Sequence, residues 1–166
     1  MYMRNLLFCI AVSLVFIIIS INGHGSSNST PGVDVTLTPA QGDNGKWGYV
    51  DDAGRFTITP RYEYAGEFRD DIAVVGFINN KYGYINSKGN LLFMVLFDSA
   101  KNFSDELAAV MIDMGETRKW GYIDKKGKFV VFPRFDEAED FENGKALVMV
   151  NNKKVYIDKT GKVLDE

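Results

Sequence analysis

Acidic side chains that recur at fixed spacing are the residues of this chain whose type could support catalysis. Two series stand out, one made of Asp51, Asn86, Asp124 and Asp158 and the other made of Glu63, Asp98 and Asp136. Hydrolysis of a glycosidic bond needs two carboxyl groups in different environments, whereas each series repeats a single position. Because asparagine replaces aspartate at a turn start in the first series, we expect these side chains to cap backbone N–H groups. We expect the second series to have a local structural role as well.

A further candidate for chemistry is a row of aromatic side chains at equivalent positions, Trp47, Tyr82 and Trp120. Such a row could stack on sugar rings, one ring for each unit. Large aromatics at repeated positions more often form the core between units, where each buries about 150–250 Å². The next equivalent residue is Lys154, as expected where the packing partner is missing. We therefore predict that Trp120 packs between the second and third units, and we keep the row as a candidate ligand-binding site.

The sequence contains no motif for another kind of active site. It has no Gly-x-Ser-x-Gly nucleophile motif, no phosphate-binding glycine loop and no Asp-rich calcium loop. His24, the sole histidine, lies in a small polar stretch, and Cys9, the sole cysteine, lies in an apolar run. We predict no catalytic residue, no bound metal and no cofactor, and we predict that the protein is not an enzyme.

The first 25 residues have the pattern of a secretory signal. Arg4 is followed by the apolar run 6–19, which gives a basic region and then an apolar region. The run is at or below the length of about 17–25 residues that spans a bilayer. We therefore expect a signal peptide at 1–25 that is cleaved near Ser26, with retention as a membrane anchor as the alternative. Residues 26–45 are predicted to be a polar linker with a capping strand at 33–38, and the predicted location is extracytoplasmic: secreted, periplasmic or at the cell surface.

The charge of the chain argues against one class of partner. Of its 19 basic and 22 acidic residues, only Arg4 lies in the first 25, so the remainder has a formal charge of −4. Proteins that bind nucleic acid neutralise phosphates with a positive surface. We therefore expect no nucleic-acid partner, and contact with a membrane only through the N-terminal segment if that segment is retained.

The elements that position these residues come from a repeat that begins at Lys46. Its first six residues, Lys-Trp-Gly-Tyr-Val-Asp, return in related form at 81–86, 119–124 and 153–158. A glycine follows seven residues after the Trp position in all four copies, and an alanine and a phenylalanine follow 18 and 21 residues after it in three of them. A fixed period indicates one supersecondary unit stacked on copies of itself. The units are 46–80, 81–118 and 119–152, with a partial unit at 153–166.

Each unit is predicted to contain about three β-strands. Aromatic and β-branched residues favour a first strand around Trp-Gly-Tyr and a second one soon after it. The second strand is expected at 56–59, 91–95 and 129–132. Between the two strands, Asx-x-x-Gly indicates a type I turn followed by a left-handed glycine. A crossover loop or one helical turn then leads to an apolar third strand. Helix is expected only as single turns at 62–68, 97–103 and 135–141.

The junctions between units also carry turn signals. Asn79-Asn80 and Asn151-Asn152 tolerate positive φ and indicate two-residue hairpin turns. A glycine inside the first strand, at 48, 83 and 121, indicates a bulge or a close backbone approach between units. The predicted fold is all-β: an open, sheet-continuous array of tandem β-rich repeats.

These residues resemble the WG-repeat family. The resemblance rests on the period, the Lys-Trp-Gly-Tyr start, the later glycine and the centre Pro-x-Phe-Asp-x-Ala-x-x-Phe at 133–141, and it covers residues 46–166. Tyr82 in place of Trp, and Val95-Leu96 in place of Pro-x, are departures that concern local packing in the second copy. The resemblance implies a β-rich repeat that is often found in exported or surface proteins, with no general activity and no catalytic residue to carry over.

The sequence predicts an exported, non-catalytic repeat module that mediates interactions with a protein or with a cell-envelope polymer. One alternative is an envelope hydrolase that uses acidic residues. Another is a structural spacer or an inhibitor of a different exported protein. Residues 46–166 contain neither histidine nor cysteine, which disfavours the hydrolase.

Overall fold

The computed structural model describes residues 36–164, and within this range all regular secondary structure is β. The predicted all-β fold is therefore confirmed. The 13 strands of these residues are β1 (Thr38–Gln41), β2 (Trp47–Val50), β3 (Phe56–Tyr62), β4 (Tyr64–Ala65), β5 (Ile72–Gly76), β6 (Tyr82–Asn86), β7 (Ser99–Ala100), β8 (Leu107–Asp113), β9 (Arg118–Asp124), β10 (Phe129–Phe135), β11 (Glu137–Ala138), β12 (Lys145–Val150) and β13 (Lys153–Asp158). In this part of the chain no helix could cross a bilayer.

Between residues 36 and 164 the strands form four antiparallel sheets, three of which join the end of one copy to the start of the next. The strand orders are β1-β2-β3, β4-β5-β6, β10-β9-β8-β7 and β11-β12-β13. The apolar strand that closes a copy pairs with the Trp-Gly-Tyr strand of the following copy. Thus β5 pairs with β6 from Ile72 opposite Asn86 to Gly76 opposite Tyr82. The same pairing joins β8 to β9 and β12 to β13, so the predicted continuity of the sheet across copy boundaries is confirmed.

The sheets are separated from one another inside the copies, at an acidic residue. Glu63 lies between β3 and β4, and Asp136 lies between β10 and β11. In the second copy, Asp98 lies between β7 and Phe97, which is bridged to Tyr82. Each full copy therefore contributes its hairpin to one sheet and its closing strand to the next.

The helical turns expected at 62–68, 97–103 and 135–141 do not form. Each segment instead contains one of the two-residue strands β4, β7 and β11. In the first copy, the N–H groups of Glu63 and Gly66 donate to the carbonyl oxygens of Gly76 and Val74. The expectation of a helical turn is wrong because a β-ladder with the closing strand satisfies the backbone groups that a helix would have paired internally.

The hairpin turn in each copy agrees with the prediction. Gly54 has φ 74° and donates its N–H to the carbonyl oxygen of Asp51 at 2.9 Å. Oδ1 of Asp51 accepts from the backbone N–H groups of Ala53 and Arg55 at 3.0 and 2.9 Å. The same two side-chain bonds are made by Asn86, Asp124 and Asp158. The capping role predicted for the first acidic series is confirmed.

The two asparagine pairs at the copy junctions behave differently. Asn151 and Asn152 have φ 51° and 61° and form the predicted two-residue turn between β12 and β13. At 79–80 the turn has three residues, because the N–H of Phe77 donates to the carbonyl oxygen of Lys81 at 2.8 Å. Of this second pair only Asn80 has positive φ, which is the conformation of a type I turn followed by one left-handed residue. The prediction of a two-residue turn is wrong at this junction.

The glycine after each Trp position allows the two strands of one hairpin to cross closely. A Cβ at Gly48 would lie 2.4 Å from the carbonyl oxygen of Ile58, and a Cβ at Gly121 would lie 2.5 Å from that of Val131. Strand pairing shifts register in both hairpins, as it does at a β-bulge. The predicted bulge is confirmed. The close approach, however, lies within a copy and not between units as expected, because the second strand of the same hairpin bends over the glycine.

The second copy departs from this pattern. Within the strand expected at 91–95, all of which is described, only Leu91 is in a β-bridge, and its partner is Ile85. Gly83 faces the side chains of Leu96 and Leu91 where the other copies have backbone. The expected strand is wrong here because Leu96 fills the space beside Gly83 that the crossing strand occupies elsewhere.

The core lies between successive sheets, because the closing strands β5 and β8 are buried on both faces, whereas β12 buries only the face of Ala146 and Val148. Ile72 and Val74 of β5 belong to one core cluster, and Ala73 and Val75 belong to another. The residues of β8 are divided between two clusters in the same way. The first three copies thus pack on one another through both faces of the shared strands β5 and β8, which is how repeat proteins build a continuous core.

A short strand covers the edge of the first hairpin. β1 pairs with β2 from Thr38 opposite Val50 to Gln41 opposite Trp47, and Leu37 packs against the adjacent core cluster. The capping strand was expected at 33–38, and within the described part of that range Thr38 is the residue that belongs to β1. The segment expected at 1–25, and the linker as far as residue 35, lie outside the described residues.

Candidate functional site

The second acidic series forms ion pairs within each copy. The lysine that begins a copy pairs with the acid 17 residues later: Lys46 with Glu63, Lys81 with Asp98, and Lys119 with Asp136. The hydrogen bond from Lys119 holds the pKa of Asp136 below its ordinary value. Hydrogen bonds from Lys81 and from the N–H of Asp113 do the same for Asp98. These carboxylates are engaged in local contacts, as predicted.

In each full copy a buried tyrosine joins the same two parts of the chain. Tyr49 donates its hydroxyl proton to the carbonyl oxygen of Gly66 at 2.8 Å. Tyr84 and Tyr122 make the equivalent bond in their copies, each at 2.7 Å. Burial raises the pKa of all three hydroxyls, so they remain protonated donors well above neutral pH.

The candidate aromatic row is placed on three different sheets. Trp47 begins β2, Tyr82 begins β6 and Trp120 lies in β9. Each side chain is half-buried and packs against a different core cluster. Trp120 also has Nζ of Lys101, from the second copy, 6.0 Å from its ring centroid. Every member of the row therefore combines a packed face with a part that is open to solvent.

An open groove lies beside the first of these aromatics. Its volume is about 540 Å³, within the range of roughly 300–1,000 Å³ that small-ligand sites occupy. The capping strand, the first copy and one residue of the second copy contribute to it. We call it the Trp47 groove, and its lining includes Pro39, Trp47, Tyr64, Glu67, Arg69 and Asn102.

Tyr64 forms a second aromatic wall of the Trp47 groove, and a glycine sets its position. Tyr64 in β4 lies opposite Gly76 of β5, which lies opposite Tyr82 of β6. Because Gly76 has no side chain, the rings of Tyr64 and Tyr82 approach across it, with centroids 6.2 Å apart. Tyr64 nevertheless remains 45% exposed. Its ring is held by a neighbour on one side and is free to contact a ligand on the other.

Polar side chains complete the Trp47 groove. Glu67 and Arg69, of opposite charge, lie in the segment between β4 and β5. Asn102 reaches the groove from the second copy, and its buried Oδ1 has no hydrogen-bond partner among the described residues. This oxygen lies close to Gly66, where an added Cβ would be 2.8 Å away. Because this oxygen is buried against Gly66, it lies behind the wall of the groove, and the exposed polar groups of the groove are those of Glu67 and Arg69.

The comparisons with known proteins agree with the repeat structure. A family model described as WG containing repeat matches residues 47–82, 82–113 and 120–153, which together make up more than half of the chain. This chain belongs to the WG-repeat family. The three matches coincide with the three full copies, so the resemblance seen in the sequence is confirmed. The search of curated proteins gives no match.

The second and third WG repeats do not reproduce the Trp47 groove. The residues that replace Tyr64 and Arg69 are Ser99 and Ser104 in the second WG repeat and Glu137 and Glu142 in the third. All three repeats have an aromatic at the Trp47 position, but only the first WG repeat adds a second aromatic, Tyr64, and an arginine, Arg69.

The third WG repeat has a cavity of different chemistry. It measures about 380 Å³, and its lining includes Glu139, Asp140, Glu142, Lys145 and Tyr156. Burial raises the pKa of Asp140, whose Oδ1 has no hydrogen-bond partner within residues 36–164. In the same part of the chain, no group of three or more His, Cys, Asp or Glu side chains is placed to hold a metal.

Sequence reasoning identified Trp47 but missed Tyr64, Glu67, Arg69 and Asn102. Trp47 stands at a position at which the WG repeats agree, whereas the other residues stand where the first repeat differs from its neighbours or where the second copy approaches it. Tyr64 and Arg69 could have been recognised by a different signal. Each is a large aromatic or an arginine at a position where the other repeats have a small or acidic residue.

Proposed function

We propose that this WG-repeat protein is an exported, non-catalytic module that binds a protein or a cell-envelope polymer. The Trp47 groove carries the proposal, because it presents partly exposed aromatic faces next to polar side chains. Paired strands form the walls of the groove. Gly66, a residue of the lining, accepts a hydrogen bond from the buried hydroxyl group of Tyr49. A rigid repeat scaffold with a few accessible recognition groups is typical of binding modules.

The state of the carboxylates in the two repeated acidic series and in the Trp47 groove supports binding over hydrolysis at these places, whereas the raised pKa of Asp140 belongs to the separate cavity of the third WG repeat. A glycosidase requires one carboxyl group with a raised pKa beside an ionised one. Hydrogen bonds to Asp51, Asp98 and Asp136 instead lower the pKa of each of them. Glu67 is the carboxylate in the described lining of the Trp47 groove, so a second carboxyl group for such a pair is missing there.

Export is proposed from the arrangement of Arg4 and the apolar run 6–19. The intact mass of the protein recovered from its own host measures this directly. We expect a mass that lacks the residues before about Ser26. A full-length chain that stays with the membrane would support the anchor and exclude cleavage.

Sedimentation of the full chain with insoluble envelope material of its host tests the proposed binding. We expect the wild type to be retained, the Tyr64→Ala chain to be retained less, and no soluble fragments to appear in the supernatant. Tyr156→Ala is the matched control, because Tyr156 is an exposed tyrosine in β13 outside the Trp47 groove. Release of fragments would favour the hydrolase, and a wild type that stays in the supernatant would favour a spacer or an inhibitor.

A further inference from the structure

We infer that the Trp47 groove binds an uncharged saccharide chain. This inference rests on the proposed function and names the class of ligand that the groove recognises. A pyranose ring has an apolar face of C–H groups and an edge of hydroxyl groups. A site for it therefore needs a flat apolar surface and, around it, both hydrogen-bond donors and acceptors.

The flat surfaces are provided by Trp47 and Tyr64, and both are held in place before a ligand arrives. Trp47 lies opposite Gln41 in β1 and opposite Tyr62 in β3, so its backbone is fixed from both sides. Tyr64 is fixed by its ladder with β5 and by the ring of Tyr82. Aromatic side chains lose little conformational freedom on binding, and their positions here are set by strands and not by a loop.

The hydrogen-bonding groups match a hydroxyl-rich ligand. Arg69 offers several N–H donors and Glu67 offers carboxylate acceptors, while Asn102 contributes to the wall of the groove with its Oδ1 buried. A hydroxyl group can donate to Glu67 and accept from Arg69. The formal charges of Glu67 and Arg69 cancel, so the groove has no excess positive charge that would favour a polyanion.

An extended peptide fits the same place less well. A peptide adds to a sheet by pairing with an edge strand, and the edge strands beside the groove are β1 and β4, of which β4 has only two residues to offer. Pro39 lies in the middle of β1 and has no backbone N–H to offer, which is one way in which edge strands resist pairing. Recognition through side-chain faces is therefore favoured over recognition through a backbone ladder.

Trp47 and Trp120 are the two tryptophans of the chain, and this gives the test a built-in control. The variant Trp120→Phe keeps Trp47 as its single tryptophan, and Trp47→Phe keeps Trp120. The full chain of each variant is titrated with a neutral hexose tetrasaccharide, an N-acetylhexosamine tetrasaccharide and a uronic acid tetrasaccharide, while tryptophan emission is recorded. We expect a saturable change for Trp120→Phe with at least one uncharged tetrasaccharide, and no change for Trp47→Phe.

A second pair of variants tests the other wall of the groove. Tyr64→Ala, added to Trp120→Phe, should weaken the apparent affinity about tenfold, as expected for loss of one stacked ring. Tyr156→Ala in the same background should leave the affinity unchanged. Unchanged affinity in the Tyr64→Ala chain would overturn the inference, as would an equal response from Trp120 or tighter binding of the uronic acid tetrasaccharide.

The two proposals fail in different ways. If uncharged tetrasaccharides give no response while the full chain still sediments with envelope material, the saccharide inference is wrong and the proposed binding function stands. If the tetrasaccharides give no response and the wild-type chain does not sediment with envelope material, both proposals are wrong.

Discussion

Tyr122 donates its hydroxyl proton to the carbonyl oxygen of Glu139, 17 residues further along the chain, at 2.7 Å. Lys119 and Asp136 are separated by the same 17 residues and form an ion pair. Equivalent pairs of contacts occur in the first and second WG repeats. These contacts tie the first strand of each hairpin to the corner at which the chain leaves one sheet and enters the next.

Loss of the Tyr122 hydroxyl should destabilise the protein without changing its fold. We expect Tyr122→Phe to lower the free energy of unfolding by about 1 kcal/mol, because the carbonyl oxygen of Glu139 loses its donor in a partly buried place. Equilibrium unfolding of the full chain in urea measures the change. Tyr156→Phe is the control, since the exposed Tyr156 should contribute less than about 0.5 kcal/mol. Similar losses in the two variants would show that the buried hydrogen bond is not what stabilises the corner.

The glycine of the Trp-Gly-Tyr strand should differ in importance between copies. Gly121→Ala should cost about 3 kcal/mol, because the new methyl group meets the carbonyl oxygen of Val131 at 2.5 Å and the backbone must move. Gly83→Ala should cost about 1 kcal/mol or less, because it meets the ends of the Leu96 and Leu91 side chains, which have other rotamers. Urea unfolding of both variants decides between these values. An equal loss of unfolding free energy at the two glycines would contradict the idea that glycine recurs after the Trp position because the backbone crosses there.

The ion pair of Lys119 and Asp136 should make stability depend on pH in the acid range. The pKa of Asp136 is lowered in the folded protein, chiefly by the hydrogen bond from Lys119. Its contribution is therefore present above the unfolded pKa of about 3.9 and is lost as the pH falls through the folded pKa. We expect the difference in unfolding free energy between wild type and Asp136→Asn to be largest near pH 7 and to shrink towards about pH 2.5.

The control for this pH dependence is Asp52→Asn, a change at an exposed residue in the first hairpin turn. Its effect on the free energy of unfolding should be small and should vary less between the two pH values. A difference for Asp136→Asn that stays constant from neutral to acid pH would mean that the ionised carboxylate is not the source of the stability.

Trp120 should contribute to packing, but less than a fully buried tryptophan. It is half-buried and packs against the cluster that contains Tyr122, Phe135 and Phe141. We expect Trp120→Ala to cost about 2 kcal/mol, compared with about 3–5 kcal/mol for complete burial. Thermal and urea unfolding, with near-ultraviolet circular dichroism to monitor tertiary packing, provide the measurement. A variant as stable as the wild type would remove the packing role and make Trp120 a candidate ligand contact.

Local turn chemistry explains why much of the fold could be predicted from the sequence. The Asx-x-x-Gly turns depend on four adjacent residues, and their hydrogen bonds are present in all four copies. The pairing of the closing strand with the next copy depends on a short connection, and Asn151-Asn152 carries the required positive φ. Signals of this kind lie within a few residues of the structure that they specify.

Contacts between distant residues explain what the sequence did not reveal. The corner at Glu63 is set by a lysine 17 residues earlier, so its proline, acids and alanine were compatible with a helical turn as well as with a two-residue strand. The strand at 91–95 is lost because Leu96 reaches Gly83, which is a packing event. Likewise the Trp47 groove needs Asn102, which belongs to the next copy. No local pattern contains these relationships.

We propose that this WG-repeat protein binds its partner at the Trp47 groove. Hydroxyl-radical footprinting of the full chain, free and bound to envelope material, measures the protection of single side chains on binding. We expect Trp47 and Tyr64 to become protected on binding, while Trp120 and Tyr156 keep the reactivity that they have in the free chain. Protection confined to residues outside the groove, such as the exposed Met94 and Phe132, with Trp47 and Tyr64 unchanged, would contradict it.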